Sequence, residues 1–124
     1  MRDSQTLLLI IEDDVWTRKA LARLMARVGW RILTAATVAE GVDHLRSEPD
    51  CVILDLDLPD GRGELVLRSI SELGIKSRVV VCTAAVDDQR MESLQTLHPH
   101  AILRKPVDVD ALLCACGTGG QGTS

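Results

Sequence analysis

Four short apolar runs in this chain each end on a residue able to do chemistry. LLLII at 7–11 runs into Glu12-Asp13-Asp14, CVIL at 51–54 into Asp55, VVVC at 79–82 into Thr83, and AILR at 101–104 into Lys105. Runs this short and this continuously apolar fit strands buried on both faces of a parallel sheet. Between them lie amphipathic stretches of helical spacing, and strand–helix alternation requires right-handed crossovers with helices on both sides of the sheet. Such a sheet brings every strand's C-terminal end to one edge, where open α/β folds hold their ligands. The topology therefore gathers Asp13, Asp14, Asp55, Thr83 and Lys105 into one place.

The elements follow from local signals. Leu7 to Glu12 is the first strand. From Val15 to Val28 the positions Leu21, Leu24, Met25 and Val28 repeat at helical spacing as a core stripe, with Gly29 as a stop. Trp30 to Ala35 is the second strand, and Thr37-Val-Ala-Glu40 is a capping box opening a helix that Pro49 ends. Cys51 to Asp55 is the third strand. Leu-Pro-Asp-Gly-Arg-Gly at 58–63 is a dense turn signal before a helix from about Glu64 to Leu73. Arg78 to Thr83 is the fourth strand, Asp87 to about Leu97 a helix, Ala101 to Arg104 the fifth strand, and Asp108 to Cys116 a short last helix. Residues 1–6 read as an N-terminal tail, 7–116 as one domain, and the Gly-, Thr- and Gln-rich 117–124 as a flexible tail or the start of a linker to an absent effector.

At 124 residues the chain has room for one core. It carries no 18-residue apolar run and no charged-then-apolar leader, so the expectation is a soluble, cytoplasmic domain with no membrane contact. With a formal charge of −4 it offers no broad basic face for a nucleic acid backbone. Cys51, Cys82, Cys114 and Cys116 lack metal-ligand spacing and read as free thiols. His44, His98 and His100 read as solvated side chains. Gly61 and Gly63 read as turn formers, because the Lys-Ser/Thr pair of a phosphate-binding loop is missing.

The carboxylates need a counter-charge. Two unit charges ~4 Å apart repel by about 4 kcal/mol at an effective dielectric near 20. A hard divalent cation relieves this, and Mg²⁺ prefers oxygen ligands of this kind. The residues thus point to a metal-assisted phosphoryl site.

Glu12-Asp13-Asp14, the Asp55-Leu-Asp-Leu-Pro-Asp-Gly-Arg-Gly63 segment, Thr83-Ala84 and Lys105-Pro106, in this order and at these strand ends, resemble the receiver domain of two-component response regulators over about residues 7 to 116. The resemblance implies a flavodoxin-like doubly wound (βα)5 fold with strand order 2-1-3-4-5, the order the alternation also suggests. It implies that Asp55 accepts a phosphoryl group from a phosphohistidine of a sensor histidine kinase or histidine phosphotransfer protein. By the same resemblance Asp14 and Asp55 bind Mg²⁺ directly, Asp13 acts through a metal-bound water, and the backbone carbonyl of Asp57 is a further ligand. Lys105 would pair with the phosphoryl oxygens and Thr83 donate its hydroxyl to the installed group. The output would be an effector, fused or separate, and the domain itself would not be a turnover enzyme.

Blander readings stand beside these. An acid after a strand can be a helix N-cap, and Asp14 before Val15 suits that role. Thr83 can be a plain β-branched strand residue. Two departures from the family pattern stand out. The position three before Lys105, usually Tyr or Phe, is Ile102, and the chain has neither aromatic. Ile102 is stiff at χ1 and fills little space, so a response would pass through the loop after the fourth strand and the helix from Asp87. The second departure is the pair two residues past Asp55 and Thr83, here Asp57 and Ala85.

Two rivals follow. Asp55-Leu-Asp57 is also a nucleophile signature of haloacid dehalogenase-type phosphatases, but these place their acidic pair after the lysine, and here Asp13-Asp14 come first. A degenerate receiver used only for docking would lack one of the acids or Lys105, and none is missing. Trp16, near the site and off the core stripe, suits a partner-docking anchor with Arg18, Lys19 or Arg23 on its rim. Local packing against a loop is the alternative for that tryptophan.

Overall fold

Continuous apolar strands dominate the molecule's centre. The computed structural model describes residues 6–84 and 86–117. Apart from Thr6 and Gly117, the tails expected at 1–6 and 117–124 lie outside the described residues, as does Ala85.

The main sheet holds β1 (Leu7–Ile11), β2 (Arg31–Ala35), β3 (Cys51–Asp55), β6 (Arg78–Thr83) and β7 (Ala101–Arg104). A small hairpin, β4 (Asp57–Leu58) with β5 (Gly61–Arg62), follows β3. The sheet is parallel throughout, in the order β2-β1-β3-β6-β7. Numbered without the hairpin, this is the expected 2-1-3-4-5. β1 and β3 are buried along their whole length, as two-faced burial of an all-apolar run requires.

Helices α1 (Val15–Arg27), α2 (Val38–His44), α3 (Glu64–Leu73), α4 (Asp88–Gln95) and α5 (Val109–Cys116) alternate with the strands. Because side chains alternate across a strand, β1 feeds two separate cores. Leu8 and Ile10 join Met25, Trp30, Cys51, Ile53 and Leu112 under α1 and α5. Leu9 and Ile11 join Val52, Leu54, Val66, Ile70 and Leu94 under α2, α3 and α4. The α1 stripe is as expected in kind, with Met25 fully buried and Leu21, Leu24 and Val28 partly buried against the same core.

Caps set the helix starts. Thr37 accepts from the Glu40 N–H at 3.1 Å, and the Glu40 carboxylate reaches back to the Ala36 N–H at 2.7 Å, one residue before the partner of an ordinary capping box. Asp60, out on the β4–β5 turn, accepts from the N–H groups of Val38 (2.7 Å) and Ala39 (3.1 Å), tying α2 to the loop after β3. α2 ends at His44 and continues as a 3-10 turn, Leu45–Ser47, up to Pro49. α4 is shorter than expected: Asp87 is its N-cap, and Leu97 and His98 form a turn beyond it. Of the thiols, Cys51, Cys82 and Cys116 are buried and Cys114 exposed, all free; burial pushes the Cys82 thiol up to about 12. No helix among the described residues is long and apolar enough to cross a membrane.

Gly63 is more than a turn former. Its φ of −57° suits any residue, but a Cβ there would lie 2.6 Å from the Asp55 carbonyl oxygen and 2.9 Å from Leu56 Cα. Both are backbone atoms and cannot swing aside. Gly63→Ala is therefore expected to cost at least the ~1–3 kcal/mol of an overpacked core and to displace Asp55. Urea denaturation checks this, and an unchanged midpoint would mean that the loop accommodates the methyl group.

Candidate functional site

The C-terminal sheet edge carries the site. β1 ends and delivers Glu12, whose N–H bonds to the Ala35 carbonyl at 3.0 Å, while β3 delivers Asp55, in register with Cys82 of β6. Lys105 follows β7, held by its N–H to the Thr83 carbonyl at 2.8 Å. The Lys105–Pro106 peptide is cis.

Carboxylate oxygens of Glu12, Asp13 and Asp55 all lie within 4.8 Å of one another. Glu12 and Asp55 are buried; Asp13 is exposed. Lys105 Nζ stands 3.1 Å from Glu12 Oε1 and 3.4 Å from Asp55 Oδ1. One ammonium thus faces two of the three acids. Burial raises the Glu12 pKa above its ordinary value, against the Asp14 N–H bond that lowers it, and the charge on Asp55 raises it further. Burial alone would lower the pKa of Lys105, but the carboxylates of Asp55 and Glu12 outweigh it and hold the ammonium charged.

The acidic triplet divides differently from the sequence expectation. Asp14, expected as the direct metal ligand, is the N-cap of α1: its Oδ2 accepts from Thr17 N–H at 2.8 Å and Thr17 Oγ1 at 2.7 Å. These bonds hold its carboxyl below the usual range, and it lies outside the acidic cluster. Glu12, not Asp14, completes the cluster with Asp13 and Asp55. The signal was present in the sequence, since Thr17 stands three residues after Asp14 and Val15 opens the helix.

Arg18, expected on a docking rim, turns inward instead. Its Nη1 donates to the carbonyls of Glu12 (2.9 Å) and Asp13 (3.3 Å), bracing the loop that carries both acids. Asp57 lies outside the cluster with an exposed side chain in an ion pair with Arg90 Nη1 at 3.0 Å; its N–H points to Asp55 Oδ1 at 3.3 Å. Thr83 is buried at the end of β6, and its Oγ1 has no hydrogen-bond partner among the described residues. A buried hydroxyl left in that state costs roughly 1–3 kcal/mol, so it marks a place for an acceptor. Ile102 is partly buried against the core that also holds Leu94 and Met91 of α4.

The donor set suits Mg²⁺. Every candidate ligand is oxygen, and oxygens trans across Mg²⁺ lie about 4 Å apart, compatible with the span of the cluster. A cavity of about 380 Å³ opens beside it between α1 and the loop after β7, walled by Leu21, Leu24, Val107 and Leu112 and reaching Asp55 and Lys105. Trp16, next in the chain to the cavity-lining Thr17, is 74% exposed, with Lys19 Nζ 6.0 Å from the ring centre.

Residues 8–116 of the chain, which carry this sheet, match the family model described as response regulator receiver domain. The chain belongs to that family. Among its relatives is the acid tolerance regulatory protein ActR of Rhizobium meliloti (strain 1021), 32% identical over 109 residues, which are 87% of this chain and 56% of the relative. The transcriptional regulatory protein CutR of Streptomyces coelicolor is 30% identical over 118 residues, covering 94% of this chain and 54% of CutR. The chain thus spans about half the length of these curated relatives. The same fold occurs in a CheY-like response regulator receiver domain from Methanospirillum hungatei JF-1, with a TM-score of 0.83 at 23% identity, covering 89% of each chain.

Proposed function

We propose that this receiver domain accepts a phosphoryl group on Asp55 from a phosphohistidine of a sensor histidine kinase or histidine phosphotransfer protein, with Mg²⁺, and that the resulting acyl phosphate switches an effector, fused or separate. The observation that carries this is the meeting of Glu12, Asp13, Asp55 and Lys105 at one sheet edge, with the unpartnered Thr83 hydroxyl on the neighbouring strand.

An Asp55 carboxylate oxygen attacks phosphorus, the P–N bond breaks, and the imidazole leaves with its electron pair and takes up a proton from water. Glu12, Asp13 and Asp55, with the Asp57 carbonyl, would hold Mg²⁺; Asp14 is engaged elsewhere. Bound there, the ion would offset the carboxylate charge and that of the phosphoryl oxygens. Lys105 meets the equatorial charge of the transition state, and the Asp57 N–H lies beside the same Asp55 oxygen. Thr83 donates its hydroxyl to the installed group. Water later hydrolyses the acyl phosphate slowly, so the domain is a self-modifying switch, not a turnover enzyme. The setting is cytoplasmic, where the ATP that charges a histidine kinase is found. The phosphatase alternative needs Asp57 as a general acid, but its carboxylate is taken up by Arg90.

Acetyl phosphate with Mg²⁺ should add one phosphoryl group per chain, and chelation should stop it. Sustained release of phosphate from many equivalents of a phosphate monoester would overturn this reading.

The donor docks on α1. Trp16 stands exposed on α1, next in the chain to Thr17, which lines the cavity that leads to Asp55, and an exposed tryptophan is a common hot spot. Trp16→Ala should slow transfer from the cognate phosphohistidine by roughly tenfold or more, leaving acetyl phosphate labelling nearly intact. Equal loss with both donors would show that Trp16 supports the site itself.

A further inference from the structure

Arg90 gives no signal in the sequence, yet it makes the most connected polar contact set beside the site. From the first turn of α4 its Nε donates to Glu64 Oε2 at 2.7 Å and its Nη2 to Glu64 Oε1 at 2.9 Å, a bidentate pair at the start of α3. Its Nη1 reaches Asp57 Oδ1 at 3.0 Å, and its Nη2 also reaches the Leu56 carbonyl at 3.3 Å. The bond to Arg90 holds the Glu64 carboxyl below its usual range, and Glu64 raises Arg90 in turn.

These bonds converge on one peptide group. The Leu56 carbonyl accepts from Gly63 N–H at 2.8 Å and from Arg90, while the N–H on the other side of that peptide, from Asp57, points to Asp55 Oδ1 at 3.3 Å. Lys105 stands 3.4 Å from the same oxygen. Arg90 thus sets the plane of the peptide whose N–H is aimed at the reacting carboxylate. A rigid guanidinium fork suits this task, and it also polarises the peptide it grips.

α4 has little else to hold it. Leu94 is its fully buried residue and Met91 is partly buried. The N-terminal turn is fixed by the Asp87 cap and by the Arg90 bonds to the segment 56–64.

We propose that Arg90 is a positioning residue for phosphoryl transfer to Asp55, acting through the Leu56–Asp57 peptide, and that it couples the placement of α4 to the state of the site. The inference rests on the receiver chemistry proposed above. It gives the domain a polar route from site to helix where Ile102 stands instead of a rotating aromatic. Coupling of this kind is reciprocal: whatever binds and shifts α4 changes the reactivity of Asp55 by the same linkage that lets a phosphoryl group shift α4.

The test compares wild type, Arg90→Ala, Arg90→Lys and Ile102→Ala in two measurements. One is the rate of Asp55 labelling against acetyl phosphate concentration; the other is amide hydrogen exchange across 88–95 with and without Mg²⁺ and beryllofluoride, a phosphoryl mimic. Arg90→Ala should lower the saturating rate about tenfold while moving the half-saturating concentration by less than about twofold. Its α4 amides should exchange faster and no longer respond to beryllofluoride. Arg90→Lys keeps the charge and stem without the fork and should recover only part of the rate; it carries the test if the alanine variant does not fold. Ile102→Ala should leave the α4 response in place.

A saturating rate within about twofold of wild type in both Arg90 variants would overturn the positioning role. A response of α4 that survives in Arg90→Ala but is lost in Ile102→Ala would overturn the route. A wild type that takes no label at all would remove the receiver chemistry and this inference with it.

Discussion

Asp55→Asn is expected to take up no phosphoryl group from acetyl phosphate under conditions that label the wild type fully. A carboxamide oxygen carries no negative charge to attack phosphorus, while its shape is nearly that of the carboxylate. The fold should persist: residue 55 closes a strand paired with β1 on one side and β6 on the other, and those backbone bonds do not involve its side chain. Lys105 keeps a partner in Glu12. Intact-mass spectrometry, with circular dichroism as a fold control, reads the outcome. Label persisting on Glu12, Asp13 or Asp57 would mean that the acceptor has been misassigned.

Mg²⁺ is expected to raise the thermal midpoint strongly. At a concentration 100-fold above its dissociation constant the gain is about 2.7 kcal/mol, which for a domain of this size is a shift of roughly 10 °C. The cause is the crowding of the Glu12, Asp13 and Asp55 carboxylates, against which Lys105 sets one ammonium beside Glu12 and Asp55. Two variants separate the acids. Asp13→Asn should leave a midpoint indifferent to the metal. Asp14→Asn should respond like wild type, because asparagine caps α1 nearly as well and the residue stands outside the cluster. Melts at fixed ionic strength in which Asp14→Asn, and not Asp13→Asn, abolishes the shift would reverse the division of the acidic triplet.

What the sequence discloses here is what depends on neighbours in the chain. The strands at 7–11, 51–55 and 78–83 are legible because burial on both faces demands unbroken apolar runs, and their alternation with helices makes the sheet parallel, while the strand order comes from the family resemblance. Asp55, Thr83 and Lys105 are legible for the same reason, since each stands where a run stops. Three adjacent acids are harder. Which of them caps the helix and which face the sheet edge turns on a single residue of phase, and only Thr17 marks it. The hairpin at 57–62 has strands of two residues each, too short to show a period. Arg90 is invisible because its partner Glu64 lies 26 residues away and no local pattern links them.

The two cores divide the molecule's labour. Trp16 and the proposed donor face stand over the layer packed by Leu8 and Ile10, whereas Arg90 and α4 belong to the layer packed by Leu9 and Ile11. One sheet separates the two layers, and they meet at its C-terminal edge beside Asp55. Substitutions on the outer face of α1 can retune the proposed donor contact without touching the packing under α4, whereas a substitution that shifts α4 reaches Asp55 through Arg90. A lineage carrying this fold can therefore retune its input face without repacking its output face, while every change at the output face is felt at Asp55.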